Sequence, residues 1–85
     1  MKTEIESHLQ ELGYVVMAVT GVKLRWEWNG DEGWLIVKAT CGEFIAQSVI
    51  SYESAHGVKP LRVIKDHINY MIKKSVTELK EYVEQ

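Results

Sequence analysis

Apolar residues first recur at helical spacing. Ile5, Leu9 and Leu12 stand among Glu4, Glu6, Ser7, Gln10 and Glu11, so steps of four and three gather them on one side of a helix. Thr3 and Glu6 have the separation of a capping box, and Gly13 is the residue type that commonly ends a helix. The pattern predicts a first helix over about residues 3–12. Tyr14 to Thr20 is rich in β-branched residues and closes at Gly21, which reads as strand-forming chain. From Val22 to Trp28 the alternation is strict. Val22, Leu24, Trp26 and Trp28 fall on one side, and Lys23, Arg25 and Glu27 on the other, the period-two signature of a half-buried strand.

Asn29-Gly30-Asp31-Glu32-Gly33 has the composition of a hairpin loop, and Trp34 to Thr40 is a second β run. Cys41-Gly42 reads as a two-residue turn into a last strand over Glu43–Ser51. Residues 52–59 form a connector, and Pro60 suits the first turn of a helix, where its missing N–H costs nothing. Leu61, Ile64, Ile68, Met71, Ile72, Ser75, Val76, Leu79, Tyr82 and Val83 then form one broad stripe of a long helix. The expected fold is a two-layer α+β domain. A helix leads into a three- or four-stranded antiparallel meander and then a long C-terminal helix, with both helices on one side of the sheet. A helix of that length measures about 36 Å, against about 23 Å for a seven-residue strand. Its distal turns are therefore expected to run past the sheet and to need the first helix, a wrapped tail or another subunit.

The turns also assign faces. A five-residue loop sets Trp28 opposite Trp34 and Trp26 opposite Ile36, while the Cys41-Gly42 turn sets Thr40 against Glu43 and Trp34 against Val49. One face then carries Leu24, Trp26, Trp28, Trp34, Ile36, Ile45 and Val49, and the other Leu35, Val37, Ala39, Phe44, Ala46 and Ile50. Two helices cover only one of them. The apolar area left over exceeds what monomers usually expose. This predicts a homodimer or a stable protein partner, with Trp26, Trp28, Trp34 and Ile36 as the partner-binding residues.

Composition supports a single domain spanning residues 1–85. Of 85 residues, 46% are hydrophobic and 26% charged, the balance of an ordered globular chain. The formal net charge of −2 gives no field drawing the whole molecule to nucleic acid or an anionic membrane. Its distribution is uneven. Residues 58–80 hold six basic side chains and two acidic ones, and Lys59, Arg62, Lys65, Lys73 and Lys80 form an alternative, nucleic-acid-binding face on the last helix. The longest purely apolar run, Val15 to Val19, is too short to span a membrane, and the opening residues lack the apolar region of a signal peptide, so the expected setting is cytoplasmic.

Chemistry-bearing constellations are sparse. One cysteine allows no internal disulfide, and no Cys/His pair has zinc spacing. A nucleophilic Cys41 would need a nearby base, yet no spacing ties His8, His56 or His67 to it. Asp66 and His67 are adjacent and point apart on a helix. Gly30 and Gly33 fit neither phosphate-loop fingerprint, and Asp31-Glu32 sits at a solvated loop tip. The expectation is a non-catalytic protein with no cofactor and no metal.

The order helix, three strands, helix resembles that of double-stranded-RNA-binding domains, and Lys59, Arg62 and Lys65 fall roughly where those domains carry a basic cluster. Lys73-Lys74 comes too late and the characteristic loop between the first two strands is absent, so the likeness is one of element order. The opening helix and the Leu12-Gly13-Tyr14 junction look like type III secretion chaperones, which are dimeric protein binders with further elements. Both resemblances imply binding rather than catalysis.

Overall fold

A computed structural model describes residues 2–55 and 57–84. Helix α1 (Lys2–Thr20) leads into strands β1 (Lys23–Asn29), β2 (Trp34–Cys41) and β3 (Phe44–Ser51). A short hairpin of β4 (Glu53–Ser54) and β5 (Gly57–Val58) follows, and α2 (Leu61–Glu84) ends the order. The main sheet is antiparallel with strand order β1-β2-β3. The expected two-layer α+β architecture is what the chain adopts.

Both helices pack on one face. α1 lies along β1, α2 lies along β3 and β2, and the helices meet side by side. They run in the same direction. Glu6 and Lys2 at the start of α1 meet Trp28, while Tyr82 at the end of α2 stacks on Phe44 at the opposite end of the sheet. The core between the layers is built from Ile5 and Leu9 of α1, Leu24, Leu35, Val37, Ala39 and Ile50 of the sheet, and Ile64, Ile68, Ile72 and Leu79 of α2. One polar pair lies inside it: the hydroxyls of Ser48 and Ser75 bond at 2.9 Å, so neither is left without a partner.

The first helix runs eight residues beyond the expected end. Gly13 sits within it, and the segment Tyr14–Thr20, read as strand-forming, is helical. Val16 continues the Ile5, Leu9, Leu12 spacing and packs against the core, and this tertiary contact outweighs β-branched propensity. The true stop is Gly21, at φ +76°, whose N–H bonds Met17 O at 2.9 Å. Thr20 Oγ1 donates to Val16 O at 2.6 Å and accepts from Val22 N at 3.2 Å, fixing the exit. Thr3 lies inside the first turn rather than at a cap, and Glu6 accepts a bond from Trp28 instead of closing a capping box.

The long helix answers its expectation in part. Leu79 is buried, Val76 is half-buried, and Tyr82 stacks on Phe44 with ring centroids 5.8 Å apart. The side chain of Val83 lies outside the described residues. Pro60 precedes the helix, its carbonyl accepting from Ile64 N at 3.2 Å. The connector contributes an anchor that sequence reasoning missed: Tyr52 is buried, bonds Asn29 O at 3.3 Å and meets Trp28 edge-on at 5.4 Å. Loss of water around the Tyr52 phenol, with the Glu53 and Asp31 carboxylates nearby, pushes its pKa above 10.

Candidate interaction surface

Register decides which side chains share a face, and here the β1–β2 hairpin departs from expectation by one residue. Asn29 pairs with Trp34, Trp28 with Leu35 and Trp26 with Val37. The loop is the four residues 30–33 rather than five. Gly33 adopts φ +67° and closes the loop directly against β4: a Cβ there would lie 2.8 Å from Glu53 Cβ. Because side chains alternate, a slip of one residue turns every β1 side chain over. Trp26 and Trp28 therefore face the helices, and only Trp34 and Ile36 of the four expected partner-binding residues stand on the outer face. The β2–β3 turn is also displaced, with Cys41 pairing Phe44 across Gly42 and Glu43. Gly42, at φ +61°, supplies the first central residue of a two-residue hairpin. This change preserves parity, so the faces expected for β2 and β3 stand.

Trp28 joins three segments. Its Nε1 donates to Glu6 Oε1 at 2.8 Å, Lys2 Nζ lies 5.2 Å from its ring centroid, and Tyr52 packs against its edge. Trp26 is half-buried and packs against the core. Both stand on the helix-facing side of the sheet.

The outer face is crossed by four rows. From β1 to β3 they read Lys23–Thr40–Ile45, Arg25–Lys38–Gln47, Glu27–Ile36–Val49 and Asn29–Trp34–Ser51. No described element packs on this face. Trp34 is 43% exposed and Val49 38%, with Ile36 half-buried beside them, and Ile45, 66% exposed, stands beyond the Lys38–Gln47 row. Lys38 Nζ stands 3.7 Å from Glu27 Oε1, a partly exposed pair along one edge of the apolar ridge. The β1 side is polar throughout. The surface is thus a ridge centred on β2 and β3, smaller than the seven-residue patch the sequence suggested.

The helix layer holds a second surface. A groove of about 390 Å³ between α1 and α2 is lined by His8, Leu12 and Val16 on one side and Asn69, Ile72, Lys73 and Val76 on the other. His8 Nε2 and Asn69 Oδ1 meet at 2.7 Å across it. Val15 and Val19 of α1 are exposed, and on the other flank of this helix the exposed Tyr14 and Met17 line a second hollow with Lys23, Leu24 and Trp26. The expected basic face of α2 is divided: Arg62, Lys73 and Lys80 are exposed, whereas Lys59 in the connector and Lys65 are half-buried.

Cys41 points to the helix side of the sheet and packs against the core. Among the described residues no three His, Cys, Asp or Glu side chains cluster as a metal site would require, and no helix is long and apolar enough to cross a membrane. His56 lies outside the described residues. No family model, curated protein or solved structure matches this chain.

Proposed function

We propose that this chain is a small non-catalytic interaction or regulatory protein, working as a homodimer or within a protein complex, and that its outer sheet face receives another protein. One observation carries the reading: Trp34, Ile36 and Val49 form an apolar ridge, with Ile45 exposed beyond the Lys38–Gln47 row, on a sheet face that no described element covers. A central tryptophan beside aliphatics, rimmed by polar side chains, is the composition of a docking hot spot. Lys23, Arg25 and Lys38 outnumber Glu27 on this face, so the complementary partner presents carboxylates beside an apolar strip.

The test is capture from the native host with the wild-type chain and with a Trp34→Ser/Val49→Lys variant, followed by mass spectrometry. The expected result is a stoichiometric protein retained by the wild type and lost by the variant. Retention of the same proteins by both would remove the reading. A second reading takes Arg62, Lys73 and Lys80, which share one side of α2, as phosphate contacts. It requires nucleic-acid affinity that falls steeply with added salt.

A further inference from the structure

The two helices present unlike ridges to the outside. By helical spacing the outward side of α1 carries Glu4, Ser7, Glu11, Tyr14, Val15 and Ala18, all exposed. It is acidic in its first half and apolar in its second. The outward side of α2 carries Arg62, Asp66, Tyr70, Lys73, Thr77 and Lys80, also all exposed. Lys73 and Lys80 are its distal charges, and Arg62 and Asp66 offset one another near its start.

The second half of α1 is apolar around its whole circumference, since Tyr14, Val15, Val16, Met17, Ala18 and Val19 point in every direction. Only Val16 among them packs against the core. A helix apolar on all sides belongs in an interior. Tyr14 and the three valines are also weak helix formers, so packing helps to hold the segment helical. Within one copy that packing is confined to one side.

We propose that a second copy of this chain covers the helix layer, with α1 of each copy seated on α2 of the other. This deepens the interaction reading and rests on it for the homodimer. Charge complementarity selects the occupant. A two-fold axis parallel to the helices brings α1 of each copy over α2 of the other, so that the two negative charges of Glu4 and Glu11 face the net +2 of Arg62, Asp66, Lys73 and Lys80 in both halves of the interface. The level of contact follows from His8 and Asn69, which meet across the groove and set residue n of α1 beside residue n + 61 of α2. An axis parallel to the helices preserves that level. Glu11 of one copy then lies against Lys73 of the other, Val15 against Val76 and Thr77, and Val19 beside the aliphatic stem of Lys80. The outer sheet face stays open for a different protein.

Sedimentation velocity on the purified full chain at micromolar concentration tests this, with circular dichroism confirming that each variant is folded. The wild type is expected to be a dimer. Val15→Glu is expected to raise the dissociation constant about 100-fold, the scale of a buried hot spot. Glu11→Lys and Lys73→Glu each raise it about tenfold, and the double reversal returns it to within about threefold of wild type. Val49→Lys on the sheet face leaves it unchanged. A monomeric wild type overturns the inference, as does a folded Val15→Glu that stays dimeric, or two reversals that fail to rescue each other. A dimer broken by Val49→Lys alone overturns it while leaving the interaction reading intact. A monomer that still captures a partner through Trp34 and Val49 does the same.

Discussion

The two helices share one layer, yet they are held by different means. α2 keeps apolar and polar positions on opposite sides along nearly its whole length, and Ile64, Ile68, Ile72 and Leu79 are all buried. α1 does this only through Leu12. Its second half has no polar side before Thr20, contains Gly13, and contributes one core contact through Val16. The difference separates two ways of making a helix. α2 is specified by its own stripe, whereas the end of α1 is specified by a neighbouring contact and the Gly21 stop.

Substitutions in the two helices should expose that contrast. Ile68→Ala in α2 removes a fully buried side chain and should cost about 2–5 kcal/mol in urea unfolding. Ser75→Ala in the same helix leaves the buried Ser48 hydroxyl without its partner, a loss of about 1–3 kcal/mol by the same measurement. In α1 the sign reverses. Gly13→Ala should stabilise by about 0.5–1 kcal/mol, because the site is helical and a Cβ there meets nothing within 4 Å. Val19→Ala, at 74% exposure, should change the stability of one copy by less than about 0.5 kcal/mol. If Val19→Ala proved as costly as Ile68→Ala in a monomer, the contrast would fail.

A pH series probes the Tyr52 anchor near the start of both helices. Its phenol is neutral in the fold and its folded pKa lies above the ordinary value of 10.0. Between the two values the native state holds more protons than the unfolded one, so stability falls as pH rises past 10. Tyr52→Phe should abolish that slope in unfolding measured across pH 9 to 11.

Where a single periodicity acts alone, the sequence was readable. The α2 stripe and the β run from Trp34 to Thr40 led to the right elements, because no competing signal crosses them. The end of α1 was not readable by propensity, since Val15, Val16, Val19 and Thr20 favour strands. The continued step from Leu12 to Val16 was the signal that pointed the other way. The β1 face was lost for a smaller reason. Gly30 and Gly33 both suit a loop, and the tight approach of β4 to Gly33, which only a residue without a Cβ permits, is a tertiary feature that composition does not display. One residue of uncertainty there moved Trp26 and Trp28 from outside to inside, and with them half of the expected docking site.

The parallel course of α1 and α2 has an electrical consequence. Aligned peptide dipoles add, so the end of the molecule where both helices begin gathers partial positive charge and the far end partial negative charge. Asp31, Glu32 and Glu53 stand in the loop and hairpin at the first end, where their carboxylates oppose that polarity, while neither helix has a basic residue in its last turn. At the far pole the nearby basic side chains are Lys23, just past the end of α1, and Lys80, one turn before the end of α2. The peptide dipoles by themselves favour a cation at the pole of Phe44 and Tyr82.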